Sequence, residues 1–114
     1  MEGLETLLDF DGEIIFVDPE GHWIKFVVKE IRPTKHQPHG LKYSLTLHDH
    51  ANNRIFGIDN AHSPKIKKRK RFSARIITWD HVHKYDKIEE YQFDTPAQLI
   101  EDFFIGVETM LNRG

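Results

Sequence analysis

The stretch LKYSLTLHDHANNRIFGI, residues 41 to 58, decides the fold of this chain. Between Leu41 and His48 apolar side chains alternate with polar ones, which is the period of a β-strand with one buried face. The following DHANN, residues 49 to 53, is rich in turn-forming residues and should reverse the chain into a second strand at residues 54 to 58. The pattern therefore predicts an antiparallel hairpin.

Two further strands are predicted on the N-terminal side of this hairpin. Residues 13 to 17 (EIIFV) and 22 to 31 are rich in β-branched and aromatic residues. The turn between them, Asp18-Pro19-Glu20-Gly21, has Pro at its first corner and Gly at its end, which is typical of a type I turn. Residues 32 to 40 contain two Pro and a Gly and should form a loop. Ahead of the strands, residues 2 to 10 have leucines at helical spacing.

The C-terminal side predicts short strands followed by a helix. RIITW, residues 75 to 79, and the segment that contains Tyr91 and Phe93 are each predicted to form a short strand. Thr95 should then cap a helix that has Pro at its first position and a glutamine placed to complete a capping box. Seven apolar residues follow at a spacing of about 3.6: Leu99, Ile100, Phe103, Phe104, Val107, Met110 and Leu111.

These elements predict an α+β fold, an antiparallel β-sheet meander of four to six strands with a C-terminal α-helix packed on one face. At 114 residues the chain is expected to be a single domain, residues 1–114, with a basic loop at 62–75. Phe103, Phe104 and the two tryptophans are expected in its core.

Composition excludes several classes of function. The chain has no Cys, so disulfides, thiolate zinc sites and a cysteine nucleophile are excluded. Its apolar runs are too short to span a membrane, and its acidic N-terminus is unlike a secretory signal. We expect a cytoplasmic protein that does not bind membranes.

Basic residues are concentrated in one segment. Seven of the 16 Lys and Arg residues lie between residues 65 and 75, with no acidic residue among them. A basic block on an otherwise acidic chain indicates a surface that binds a polyanion, although a solvated loop without a partner has the same composition. Few aromatic residues are interleaved, which favours contacts with phosphates over base readout. The residues predicted to bind nucleic acid are Lys65, Lys67, Lys68, Arg69, Lys70, Arg71 and Arg75.

Asp80-His81-Val82-His83 is the densest group of candidate catalytic residues. In an extended chain the side chains of His81 and His83 point to the same face, and the two residues are about 6 to 7 Å apart along the strand. Asp80 points to the other face. Two imidazoles at this spacing could divide acid and base roles, or bind a divalent metal. A metal would need a third ligand from His62, Asp59 or His48. We predict no metal and no cofactor, because two ligands are too few and no HExxH motif is present.

Asp59-Asn60, at the end of a predicted strand, is the second candidate. Asp and Asn at this position often form an Asx-turn, but the neighbouring His62, basic block and Asp-His-x-His motif favour a role in function. RNA cleavage without a metal needs a base, an acid and cations that hold the phosphorane, which these residues could supply. The other His-x-His, His48-Asp49-His50, is interpreted as a polar hairpin end.

The order of several short motifs resembles the TumE family of toxin-antitoxin components. The motifs are Asp59-Asn60, Asp80-His81-Val82-His83, Tyr91-Gln92-Phe93 and Gln98-Leu99-Ile100-Glu101-Asp102-Phe103. They cover about residues 41 to 112. Residues 61 to 79 form a longer link between the first two motifs than the resemblance leads one to expect.

The resemblance implies the toxin of a bacterial two-gene module whose usual partner is a small DNA-binding antitoxin. Action on RNA is implied by analogy with other small toxins. The first hypothesis is therefore an RNA-binding protein or metal-independent ribonuclease, in which His81 and His83 transfer protons and Asp59 and Asp80 orient them. The alternative is a non-enzymatic interaction module whose basic loop docks an acidic protein or a nucleic acid.

Overall fold

A six-stranded antiparallel sheet with two helices forms the fold. The structure is a computed structural model that describes residues 1–62 and 78–112. The strands lie in the order β1 to β6, so each pairs with its neighbour in sequence, which confirms the predicted α+β meander. In chain order the elements are α1 (Leu4–Asp9), β1 (Ile14–Phe16), β2 (Trp23–Glu30), β3 (Leu41–His48), β4 (Arg54–Asp59), β5 (His81–Lys84), β6 (Lys87–Glu90) and α2 (Pro96–Leu111).

Both helices pack against the same face of the sheet, which we call the helix face. Alternate residues of β2 to β4 point to this face and are buried: Ile24, Phe26, Val28, Leu41, Tyr43, Leu45, Leu47, Phe56 and Ile58. The ring of Phe103 from α2 contacts those of Phe26 and Phe56, with centroids 5.5 and 5.8 Å apart. Phe10, which follows α1, stacks on Phe26 at 4.4 Å. The core therefore lies between the sheet and the helices.

The start of α2 follows the predicted capping pattern. The Thr95 hydroxyl accepts a hydrogen bond from the Gln98 backbone N–H at 3.2 Å, and Pro96 occupies the first helical position. The Gln98 side chain in turn accepts from the Asp94 N–H at 2.8 Å. The first bond satisfies an amide group that a helix start otherwise leaves without a partner. The second reaches the residue before the cap, whereas a standard capping box would bond the N–H of Thr95 itself.

The predictions for the C-terminal strands were partly wrong. Residues 91 to 93 are not in a strand: the β5–β6 pairing ends at His81 and Glu90, and one further backbone bond joins the Tyr91 N–H to the carbonyl of Asp80. The last strand is β6, which pairs with β5 through a turn where Tyr85 has a φ of 52°. Of the predicted strand RIITW, residues 75–77 lie outside the described residues. Thr78 and Trp79 are not in a strand.

The expectation that the tryptophans belong to the core was also wrong. Trp23 stacks on His48 on the other side of the sheet, with centroids 4.1 Å apart. Trp79 stacks on His36, and its backbone N–H donates to the His36 carbonyl. Both are half-buried, so each covers a loop or sheet surface rather than the core.

The opposite side of the sheet, the distal face, carries the candidate histidines. Residues directly opposite each other on neighbouring strands share a face, so the pairings Val27–Ser44, Ser44–Asp59 and Asp59–His81 trace one row across it. A parallel row consists of Lys25, Thr46, Gly57 and His83. Within the described residues, no helix is long and apolar enough to cross a membrane.

Gly106→Ala should destabilise the protein, although alanine favours helices over glycine by about 1 kcal/mol. A Cβ at position 106 would overlap the ring of Phe56 where α2 crosses β4. Overpacking of this kind costs roughly 1 to 3 kcal/mol, which we expect to exceed the helix-propensity gain. Urea unfolding measures the change, and Glu101→Ala, at an exposed site of the same helix, is the control. A more stable Gly106→Ala protein would contradict the packing of α2 on Phe56.

Candidate active site

Asp59, His81 and His83 meet on the distal face. Asp59 lies directly opposite His81 in the β4–β5 register, and Gly57 lies opposite His83. The two carboxylate oxygens divide between the rings: Oδ1 is 3.2 Å from His81 Nε2, and Oδ2 is 3.3 Å from His83 Nε2. All three residues are buried. Two motifs separated in the sequence therefore form one site.

Arg54, which contacts the other ring nitrogen of His83, determines which nitrogen carries the proton. The guanidinium nitrogen Nη2 lies 3.0 Å from His83 Nδ1. Because a guanidinium only donates hydrogen bonds, Nδ1 must accept with its lone pair. His83 is therefore neutral, with its proton on Nε2, where it is donated to Asp59.

His81 has the opposite arrangement. Its Nδ1 is 2.7 Å from the carbonyl oxygen of Trp79, which can only accept, so Nδ1 carries a proton. If Nε2 were unprotonated, its lone pair would face an oxygen of the Asp59 carboxylate. We infer that a proton lies between these two atoms, because an N–H···O contact is favourable and a lone pair facing a carboxylate is not.

Charge and burial reinforce the difference between the histidines. Burial is the largest cause that lowers the pKa of His83 below its ordinary value of 6.5, followed by the positive charge of Arg54 and by His81. The carboxylate of Asp59 acts in the opposite direction but does not cancel them. His83 is thus kept neutral at neutral pH, next to a neighbour that holds a proton.

Arg54, the first residue of β4, passes beside Gly57, which lies opposite His83. A Cβ at Gly57 would be in ordinary van der Waals contact with Cδ of Arg54, at 3.6 Å. The register between β3 and β4 also shifts at Leu47/His48, next to the pairing of His48 with Arg54. The sequence analysis missed Arg54, because one arginine at a strand start gives no signal of its own.

The same three residues could hold a metal ion. Their potential ligand atoms all lie within 4.8 Å of one another. The nitrogen–oxygen distances of 3.2 and 3.3 Å match the roughly 3.3 Å between ligands of a tetrahedral ion with bonds of about 2.0 to 2.1 Å. However, a metal on His83 Nε2 would require the proton on Nδ1, which would then face the N–H groups of Arg54. Arg54 therefore favours protons over a metal in this cluster.

Comparison with known proteins identifies the same family that the order of the motifs resembles. The family model described as Toxin TumE matches residues 7–111, nearly the whole chain. The chain belongs to the TumE toxin family. It is therefore the toxin component of a toxin-antitoxin system, and an antitoxin partner goes with that role. No curated protein and no solved structure matches the chain significantly.

Two other TumE motif residues, Asn60 and Asp80, lie away from the histidine rings and bind Tyr43. The Asn60 side chain accepts from the Tyr43 N–H at 2.9 Å and donates to the Leu41 carbonyl at 2.7 Å. Asp80 accepts a hydrogen bond of 2.6 Å from the Tyr43 hydroxyl on the helix face. Burial, and then Asp80, raise the pKa of Tyr43 well above 10. Asp80 thus anchors the start of β5, and Asp59 alone contacts both histidines.

The motifs near the C-terminus of the TumE pattern also form structural contacts. The Tyr91 hydroxyl donates to the Asp102 carboxylate at 2.6 Å and so ties the segment after β6 to α2. Phe93 is buried against Tyr43 and stacks on His39. These contacts hold the segment that follows β6 against the core.

Several predicted residues lie away from the cluster. His62 is exposed at the end of the first described range. His48 contacts Thr46 at 2.9 Å and stacks on Trp23, and His50 is exposed in the hairpin turn. The predicted nucleic-acid-binding residues of the basic block, from Lys65 to Arg75, lie outside the described residues.

Replacing Arg54 by Met should raise the pKa of His83. The substitution removes a nearby positive charge and the donor that holds Nδ1 as an acceptor. An NMR titration of the His83 ring proton measures the pKa directly. Lys84→Met is the control, because it removes an equal charge from the residue next to His83, whose side chain points to the other face. An unchanged His83 pKa in Arg54→Met would contradict the proposed tautomer.

Removal of the Tyr43 hydroxyl should lower stability more than the same change at Tyr91. Tyr43→Phe leaves the buried Asp80 carboxylate without its donor, at a cost of roughly 1.5 to 3 kcal/mol. Tyr91→Phe removes a bond of equal length to Asp102, but in a part-buried site. The free energy of unfolding in urea compares the two. A smaller loss for Tyr43→Phe would show that Asp80 is not a structural anchor.

Proposed function

We propose that this TumE-family toxin is a metal-independent ribonuclease whose acid and base are His81 and His83. The observation that carries the proposal is the difference between the two Nδ1 partners, a carbonyl oxygen at His81 and the Arg54 guanidinium at His83. One imidazole holds a proton that can be given away, and the other keeps a lone pair at neutral pH. General acid–base catalysis of phosphodiester cleavage needs one group of each kind.

In this mechanism Arg54 and His83 act together on the attacking side. A phosphate of the RNA takes the guanidinium of Arg54, which forms strong bidentate pairs with phosphate oxygens. The His83 Nδ1 lone pair is then free to accept the proton of the ribose 2′-hydroxyl as its oxygen attacks the phosphorus. His83 becomes an imidazolium, with Nε2 still donating to Asp59.

His81 acts on the leaving side. It transfers the proton held between Nε2 and Asp59 to the departing 5′-oxygen as the phosphorus–oxygen bond breaks. The products are a 2′,3′-cyclic phosphate and a 5′-hydroxyl, and the proton gained by His83 balances the one lost by His81. Arg54 stabilises the charge that develops on the phosphorane oxygens.

The exposed edges of the cluster support access from one side. The side chains of Asp59 and His83 are 11% and 10% exposed, against 4% for His81. A phosphate that approaches Arg54, which is itself exposed, therefore meets the base first. The basic block between Lys65 and Arg75 would add further phosphate contacts, as its composition predicts.

The second candidate function is a non-enzymatic toxin that acts by binding. The concentration of seven of the 16 basic residues in one segment favours it, because such a segment can dock an acidic protein without any chemistry. In that case the buried cluster of Asp59, His81 and His83 would serve the fold.

A cleavage assay on a labelled single-stranded RNA in the presence of EDTA tests the proposal. We expect the wild-type protein to cleave, and His81→Ala with His83→Ala to lower the rate by at least about 10²-fold, the lower end for loss of acid–base catalysis. His50→Ala changes the other His-x-His and should leave the rate unaltered. Loss of growth inhibition in cells should follow the loss of cleavage.

Two results would contradict the proposal. Full activity of the folded double variant would remove His81 and His83 from the chemistry. Cleavage that stops in EDTA and returns with a divalent ion would show that the cluster works as a metal site, contrary to the argument from Arg54.

A further inference from the structure

The distal face of β1, β2 and β3 has the features of a nucleic-acid surface. Its residues are Ile14 and Phe16 from β1, Trp23, Lys25, Val27 and Lys29 from β2, and Lys42, Ser44, Thr46 and His48 from β3. Both helices pack on the other side of the sheet. These ten residues include three lysines and no Asp, Glu or Arg.

Aromatic and apolar groups are exposed at its β1 edge. The side chain of Phe16 is 71% exposed, although phenylalanine is normally buried, and Ile14 and Val27 are 54% and 36% exposed. Trp23 lies directly opposite Phe16 and is held flat against His48, with an angle of 9° between the rings. Exposed rings on a sheet are the platform on which unpaired bases stack.

Cations lie beside these rings. Lys25 and Lys42 are exposed, whereas Lys29 is paired with Asp11 at 2.7 Å. Arg54 lies opposite His48 in the β3–β4 register, and Lys25 is two residues from Trp23 on the same face of β2. Arg54 thus stands between the aromatic rings and His83, which its guanidinium contacts.

Small residues separate the aromatic edge from the catalytic cluster. Thr46 and Gly57 lie between Lys25 and His83 in one row, and Ser44 lies between Val27 and Asp59 in the next. From β1 to β5 the path covers four strand spacings of about 4.8 Å, roughly 19 Å. That span suits the few nucleotides, about 4 or more, that a single-strand-binding surface holds.

We propose that this face binds single-stranded RNA and leads it to the site formed by Asp59, His81 and His83. Phe16 and Trp23 stack on bases, while Lys25, Lys42 and Arg54 contact phosphates. The inference rests on the proposed function and adds the form of its substrate. A duplex fits poorly because its bases are not free to stack. A protein partner fits less well, because lysine is depleted in protein interfaces and Lys25 lies in the middle of this surface.

Fluorescence anisotropy with a labelled single-stranded RNA tests the inference. The protein carries His81→Ala and His83→Ala so that the RNA stays intact. Added Phe16→Ala should raise Kd by about 5- to 150-fold, the range for loss of one stacked base. Lys25→Gln with Lys42→Gln should reduce the slope of log Kd against log salt concentration by about 1.4, at about 0.7 for each phosphate contact.

Matched variants on other surfaces provide the controls. Tyr85→Ala removes an exposed aromatic ring from the β5–β6 turn, and Lys84→Gln with Lys87→Gln removes two charges from a cross-strand pair on the helix face. Each should bind the RNA within about twofold of its parent. A duplex of the same sequence should bind at least about tenfold more weakly. Urea unfolding confirms that every variant is folded.

The outcomes separate this inference from the proposed chemistry. Weaker binding in the face variants alone supports the RNA surface, even if the wild-type protein fails to cleave. Cleavage by the wild type together with control-like binding by the face variants overturns the surface and leaves the chemistry standing. Face variants that release the antitoxin but bind RNA normally overturn it too, because the face is then a protein interface. Absence of RNA binding by the parent protein also overturns it.

Discussion

The antiparallel register between β4 and β5 sets the arrangement of the whole distal face. With Asp59 opposite His81, alternate residues Ile58 and Val82 face the helices. A slip of one residue would exchange the two faces of a strand. It would place imidazoles in the apolar core and expose Val82 instead. Burial of apolar side chains on the helix face therefore also fixes Asp59, His81 and His83 on the opposite face.

Tyr43 adds a polar constraint to this register. Its backbone N–H and carbonyl bind Asn60, the residue after Asp59, and its hydroxyl binds Asp80, the residue before His81. Asp59 and His81 contact each other in the cluster, while the neighbouring Asn60 and Asp80 are hydrogen-bonded to Tyr43 on β3. Buried polar groups are costly without partners, so these bonds penalise other registers strongly. In each motif, therefore, one residue belongs to the cluster and the residue next to it in the sequence holds the strand in register.

Periodicity and capping made much of the fold predictable. Alternation from Leu41 to His48 and the Thr95 cap are local signals, and they gave the central strand and α2. The shared face of His81 and His83 follows from the same period of two. The strand placed at Tyr91 and Phe93 was wrong because aromatic residues suggest a strand, whereas these two rings pack on other elements.

Long-range features could not be read from the sequence. The segment KIEE of β6 has little strand propensity and forms through pairing with β5, after a turn in which Tyr85 takes a positive φ. The contact of Asp59 with His81 depends on a register between strands that are distant in the sequence. That of Arg54 with His83 depends on the pairing of β4 with β5 and on the register shift next to the pairing of His48 with Arg54. Both are properties of the assembled sheet.

Two histidines in one short strand become chemically different through their second nitrogens. A carbonyl oxygen at His81 requires a proton on Nδ1, whereas the guanidinium at His83 requires a lone pair there, and Asp59 contacts both rings at similar distances. The same guanidinium disfavours a metal cation and attracts a phosphate. In the proposed mechanism, a phosphate that binds Arg54 releases the lone pair of His83, so the substrate itself exposes the base. Selectivity for a polyanion and activation of the base would then both follow from one contact.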